Sequence, residues 1–227
     1  MSTPEKPAPH ASVPESSIRI AGTAVVLRDG ADGLETLLLR RPSSGSFADA
    51  WVFPGGRVDS ADRARAHDEA DAARHAATRE TQEEAAIRVH SLRPLSRWVP
   101  PAETPVRYRT WFFLAREHGD EVRVNPGEIV DAAWMTPQRA FDAHAAGSLA
   151  LFPPTWVTLR GLLAHASVDA AFAAAGELAR YETRMLSTAT GRRAMWAGDE
   201  DYPDAPGAVG ARHRLTMDAL PWVYERS

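Results

Sequence analysis

The stretch Arg79-Glu80-Thr81-Gln82-Glu83-Glu84 packs three carboxylates into one hexapeptide. At about 100° per helical residue, Glu83 lies about 60° to one side of Glu80 and Glu84 about 40° to the other, so all three project into one arc. Like charges crowded in this way cost a helix roughly 0.2–0.5 kcal/mol per i,i+4 pair unless something positive neutralises them. A hard divalent cation that takes oxygen ligands, Mg²⁺ or Mn²⁺, would do so. The competing reading of the hexapeptide alone is a solvated helix face rich in Glu and Arg. The context upstream favours the metal: Trp51-Val52-Phe53 leads through Pro54 into Gly55-Gly56, which reads as a short strand entering a tight turn ahead of the helix.

The elements that must position these acids follow from the rest of the chain. Its 227 residues, 44% hydrophobic, suffice for one good core, so one domain with tails is expected. Residues 1–17, rich in Pro and Ser, are expected to be a disordered lead-in. Ile18–Leu27 and Leu34–Leu39 are apolar, β-prone runs around the turn-rich Asp29-Gly30-Ala31-Asp32-Gly33, which predicts a hairpin. Asp68–Ile87, rich in Ala and Glu without Pro or Gly, predicts the helix that carries the acids. Val89–Val99, Arg109–Ala115, Glu121–Val124 and Ile129–Met135 read as strands. Helices are predicted from Pro137 to Ala146 with Thr136 as N-cap, from Pro154 to His165, and from Val168 to Leu186 with Ser167 as N-cap. The domain is expected to run over 18–190. Residues 191–227 are expected to form a loop-rich tail in which Arg212–Leu215 and Trp222–Tyr224 pair as a terminal hairpin, since those aromatics would otherwise be exposed.

Several classes of function are excluded or disfavoured. The chain contains no cysteine, which removes disulfides, thiolate zinc sites and thiol nucleophiles and fits a reducing cytoplasmic location. It has no apolar run of about 18 residues and no apolar core in its first 17, so neither a membrane partner nor a secretory signal is expected. A net charge of −4 argues against a general nucleic-acid binder. Lys6 is the only lysine beside many arginines, a pattern of coding bias more than of phosphate recognition. The histidines lack the i,i+4 spacing of a metalloprotease helix, and no phosphate-cradling Gly-x-x-x-x-Gly-Lys loop is present.

Gly56 followed by Arg79-Glu80-Thr81-Gln82-Glu83-Glu84 and Ile87 resembles the Nudix box. The sequence departs from it in having Ala86 where the family has Gly, Thr81 where it has an apolar residue, and a Gly-to-Arg interval about nine residues too long. Counted back from Arg79, the isolated Glu of the pattern falls on Asp71. The polar surplus between Arg57 and Asp71 is expected to form an extra loop or helical turn. A lengthened box of this kind, with Trp51-Val52-Phe53-Pro54-Gly55-Gly56, Arg109-Thr110-Trp111-Phe112-Phe113-Leu114-Ala115 and Phe152-Pro153-Pro154-Thr155-Trp156, resembles the branch containing the peroxisomal coenzyme A diphosphatases.

The resemblance implies an α+β protein of the Nudix fold, a mixed sheet sandwiched between helices (α/β/α), here with extra C-terminal helices. It also implies a Mg²⁺- or Mn²⁺-dependent hydrolase of the pyrophosphate bond in a nucleoside diphosphate linked to another moiety. Coenzyme A or acyl-coenzyme A is the preferred substrate, and ADP-ribose or NADH the alternative. A reading from another class is a catalytically silent nucleotide sensor, against which the retained acids argue. By the same resemblance Glu80, Glu83, Glu84 and the Gly56 carbonyl hold metal and Arg79 positions Glu80. The general base is left open among Glu80, Glu128 and Glu103. Arg40, Arg41, Arg107 and Arg109 are candidates for phosphate contact. Trp98 and Trp156 are candidates for stacking on a base, with a core role weighed above it. A homodimer is left open.

Overall fold

A computed structural model describes residues 18–45 and 47–227; the expected lead-in at 1–17 lies outside them. In chain order the elements are β1 (Arg19–Gly30), β2 (Gly33–Arg40), β3 (Trp51–Val52), β4 (Gly55–Arg57), α1 (Ser60–Ala64), α2 (Glu69–Ala85), β5 (Val89–Val99), β6 (Tyr108–Glu117), β7 (Asp131–Met135), α3 (Pro137–Ala145), α4 (Pro153–Leu162), α5 (Val168–Ala174) and β8 (Ala179–Glu182). Four short strands close the chain: β9 (Arg184–Ser187), β10 (Arg192–Met195), β11 (His213–Thr216) and β12 (Val223–Arg226).

The main sheet runs β3-β2-β1-β6-β5-β8, with β4 added to β1 and β7 to β2. It is mixed: β1–β6 and β5–β8 are parallel, and the other pairs antiparallel. Because successive strand residues face opposite ways, β1 sends Ala24 and Val26 to one face and Val25 and Leu27 to the other. The first face is covered by the alanines of α2 (Ala72, Ala73, Ala76 and Ala77) with Ile87 and Ile129. The second is covered by Trp156, Val157 and Leu159 of α4, by Ala140 of α3 and by Val168 and Ala171 of α5. This is the expected sandwich.

Helix α2 lies close to the sheet because both surfaces are bare where they meet. A Cβ on Gly22 of β1 would fall 1.8 Å from the Ala73 carbonyl oxygen, so only hydrogen fits between strand and helix. Asp68 caps the start of α2, and the helix ends at Ala86 with φ of 58°, the left-handed conformation that favours glycine. That is the backbone requirement behind the one box position where the family has Gly and this chain has Ala. The Thr81 departure is also accommodated: its buried hydroxyl donates to the Ala77 carbonyl at 2.7 Å.

Three elements differ from expectation. Glu121–Val124 forms no strand; here the chain caps α2 instead, Arg123 N donating to the Ala85 carbonyl at 2.9 Å and Asn125 N, just past the segment, to the Glu84 carbonyl at 3.0 Å, satisfying oxygens the helix end leaves open. The helix from Val168 stops at Ala174, and the following residues are β8 and β9, so the C-terminal helices end there. Tyr181 explains the switch, since it pairs in register with Trp98 and stacks on it at 3.8 Å and 5°. The tail is not loop throughout. Strands β9–β12 form an antiparallel sheet in which β11 and β12 are neighbours, and Trp196 and Leu215 anchor it in the core. Buried Asp199 organises its connection by ion pairing with Arg214 and accepting from the His213 and Asp201 amides at 2.8 and 3.0 Å.

Two substitutions test this packing. Gly22→Ala should destabilise by about 2–3 kcal/mol in chemical denaturation, because a backbone carbonyl blocks the added methyl. Ala86→Gly should stabilise by about 1 kcal/mol by relieving the left-handed turn.

Candidate metal centre

The glycine turn and α2 form the site together. Strand β4 pairs with β1 in the register Gly22↔Gly56, which fixes Gly56 over the helix. A Cβ there would lie 2.3 Å from the Glu80 carboxylate, so the residue type is dictated by that acid. One step earlier, the Gly55 amide donates to Glu84 Oε2 at 2.9 Å, and Arg41 Nη1, just past β2, meets Glu84 Oε1 at 3.0 Å. Only 3% of the Glu84 side chain is exposed. The segment that caps α2 ends in a turn where the amides of Glu128 and Ile129 donate to the Asn125 carbonyl, and this turn carries Glu128 to the same place. Carboxylate oxygens of Glu80, Glu84 and Glu128 all lie within 4.8 Å of one another.

Burial raises the Glu84 carboxyl most; the Gly55 amide and Arg41 oppose this, and the charges of Glu80 and Glu128 add to it, for a net value of about 7. Glu80 is also raised, chiefly by burial, with Arg79 opposing and Glu83 and Glu128 adding. Three acids share the Arg41 guanidinium, the Gly55 amide and an Arg79 guanidinium that is also committed to Glu83 and Asp62, an oxygen-only donor set short of positive charge, which suits a hard divalent cation. Glu80, Glu84 and Glu128 would hold it.

Glu83 stands apart from this set. It is exposed and pairs with Arg79 across one helical turn at 2.8 Å. The Arg79 guanidinium also meets Glu80 at 3.0 Å, Asp62 at 2.9 Å and the Arg57 carbonyl at 3.0 Å, so it orients neighbouring groups. Asp62 is fully buried and belongs to the reciprocal cap of α1 with Asp59. The expectation that Asp71 holds the isolated acid's place does not match this geometry: Asp71 accepts from the His67 amide and pairs with Arg74 at the start of α2. Counted forward from Gly56 rather than back from Arg79, the isolated acid's place falls on Asp62, which is the residue that pairs with Arg79. The surplus residues include the expected extra helical turn, α1.

The remaining candidates are dispersed. Arg41 is at the acids, whereas Arg40 pairs with Asp49 at 3.1 Å. Arg109 meets Glu69 at 2.9 Å at the far end of α2, about 16 Å along the helix from Glu80. Arg107 donates to the Pro100 carbonyl at 3.3 Å. Glu103 is exposed in the loop between β5 and β6 and is not a member of the acidic cluster. Trp98 and Trp156 are core residues, on Tyr181 and Phe141 respectively. Among the described residues no helix is long and apolar enough to cross a membrane.

A family model for the NUDIX domain matches residues 18–153. Among solved structures the chain is similar to a NUDIX hydrolase from Alicyclobacillus acidocaldarius, at 27% identity and a TM-score of 0.63, over 70% of this chain and 98% of that one. Weaker likenesses are to a MutT NUDIX hydrolase from Burkholderia pseudomallei (23% identity, TM-score 0.48, 63% and 95% covered) and to the NUDIX domain of Shewanella oneidensis NrtR complexed with ADP ribose (15%, 0.49, 63% and 84%). No curated protein matches the chain.

The buried acid gives a pH-dependent prediction. A carboxyl raised in the folded state stabilises the protein fully below its ordinary value of 4.5, and that contribution is lost as pH rises through about 7. The cation-free protein should therefore lose thermal stability between pH 5 and pH 8. The increase in melting temperature on adding Mn²⁺ should grow over the same interval, with proton release on binding measurable by calorimetry in buffers of different ionisation enthalpy. A Mn²⁺ shift independent of pH would contradict the placement of the ion at Glu84.

Proposed function

Because the chain belongs to the Nudix family and is a pyrophosphohydrolase of it, we propose that its substrate is coenzyme A or acyl-coenzyme A, cleaved at the diphosphate. The observation that supports the chemistry is the convergence of Glu80, Glu84 and Glu128 within 4.8 Å beside Gly56. The coenzyme is favoured by the lengthened box and by the flanking segments at 51–56, 109–115 and 152–156, which resemble those of the coenzyme A diphosphatases.

A divalent cation bound at the cluster would screen the charge of the diphosphate and make water more acidic. Glu80 and Glu84, fixed by α2 and the glycine turn, hold that charge in place. Glu128, exposed on its turn and facing both, is best placed to take the proton of the attacking water. Arg41 neutralises Glu84 until a cation does so, and its guanidinium is then available to a phosphate oxygen. Arg79 is a positioning residue, held by Asp62 and the Arg57 carbonyl while it steadies Glu80.

Purified protein in Mg²⁺ or Mn²⁺ should turn over coenzyme A with higher kcat/KM than ADP-ribose, NADH or nucleoside triphosphates, releasing a phosphorylated adenosine monophosphate. Preferential cleavage of ADP-ribose or NADH would displace the coenzyme. Glu80→Gln and Glu84→Gln should each lower kcat/KM by about 100-fold or more with the fold retained by circular dichroism, and Glu83→Gln by less, since Glu83 faces Arg79.

A further inference from the structure

Glu128 joins the acids from a turn, and the two residues before it, Pro126 and Gly127, are exposed as it is. A carboxylate on a free loop would lose conformational entropy each time it met Glu80 and Glu84, so its place there has to be set by the backbone that carries it. That backbone is fixed on both sides of the turn. Before it, Asn125 N donates to the Glu84 carbonyl at 3.0 Å. After it, Ile129 is fully buried in the core that α2 covers, and Val130 N donates to the Arg40 carbonyl at 3.0 Å.

Asn125 joins the first of these anchors to the acid. Its carbonyl accepts the amides of Glu128 at 3.0 Å and Ile129 at 2.9 Å, and its side-chain Oδ1 accepts the Gly127 amide at 3.2 Å. Pro126 has no amide hydrogen, so both backbone donors of residues 126–128 end on Asn125. The residue that accepts them is itself held by the backbone of Glu84, whose carboxylate is another member of the acidic group. Two of the three acids are thus linked through one residue.

The backbone bonds of this arrangement are open to any residue type, but the bond to Gly127 needs a short side chain with an acceptor oxygen, as Asn and Asp have. Aspartate would bring a further carboxylate beside acids already short of positive charge, whereas asparagine supplies the oxygen without charge. We propose that Asn125 is a positioning residue for the third acid: its side-chain oxygen holds the turn so that Glu128 faces Glu80 and Glu84, and it acts on the chemistry only through Glu128. The effect on catalysis rests on the reading of Glu128 as cation ligand and proton acceptor; the effect on the turn does not.

The test follows the turn and the cation separately in the full chain. In cation-free protein, amide hydrogen exchange at Gly127 and Glu128, read by NMR, should speed up about tenfold in Asn125→Ala, while the amides of α2 keep their protection and the melting temperature stays that of wild type. Mn²⁺ affinity by calorimetry should fall about tenfold in the same variant, and kcat should fall more than KM changes. Asn125→Asp returns the acceptor and should restore slow exchange at both amides. Unchanged exchange in Asn125→Ala overturns the proposal, as does a failure of Asn125→Asp to restore it, which would make the side chain a packing group. Glu128→Gln separates the proposal from the reading on which its catalytic part rests. If Glu128→Gln weakens Mn²⁺ binding and turnover but Asn125→Ala does not, the reading stands and the proposal is overturned. If Glu128→Gln binds Mn²⁺ and turns over substrate as wild type does, the reading of Glu128 has failed, and exchange at Gly127 and Glu128 alone decides whether Asn125 holds the turn.

Discussion

The buried carboxylate of Glu84 is the constraint around which the site is arranged. A charge taken out of water must be compensated, and the fold supplies only the Gly55 amide and the Arg41 guanidinium while setting Glu80 and Glu128 against it. The resulting group is frustrated without a cation and satisfied with one. That asymmetry connects a helix, a turn and a loop to a single chemical purpose, and it accounts for the upward shift of Glu84 to about 7.

Backbone geometry delivers the acids more than side-chain packing does. Gly22 lets α2 approach the sheet to within a hydrogen's width, Gly56 leaves room for the Glu80 carboxylate, and the amides of Arg123 and Asn125 close the end of α2 and thereby bring Glu128 in. The alanine face of α2 serves the same end, since small side chains keep the helix near β1. Away from the acids, the molecule relies on aromatic packing. Trp98, Tyr181 and Trp196 join the main sheet to the C-terminal one.

What the sequence disclosed was what depends on neighbours in the chain. The β1–β2 hairpin, the span of β5, the caps Thr136 and Ser167 and the helix bearing Glu80 all follow from local periodicity and capping chemistry. What it concealed depends on partners far away. Glu121–Val124 has the composition of a strand, yet the amides of Arg123 and of Asn125 just beyond it find the carbonyls of α2. The alanines after Val168 favour helix, but the stacking of Tyr181 on Trp98 outweighs propensity beyond Ala174. Asp62 was hidden because the insertion displaces it from Arg79 in number and not in space, and Arg109 looked available only because its neighbour Glu69 lies forty residues away.

Anomalous diffraction at the manganese edge from crystals grown with Mn²⁺ tests the central claim most directly. A peak bounded by carboxylate oxygens of Glu80, Glu84 and Glu128 is the predicted result. No peak there, or a peak held by other groups while these three acids keep their cation-free arrangement, would contradict it.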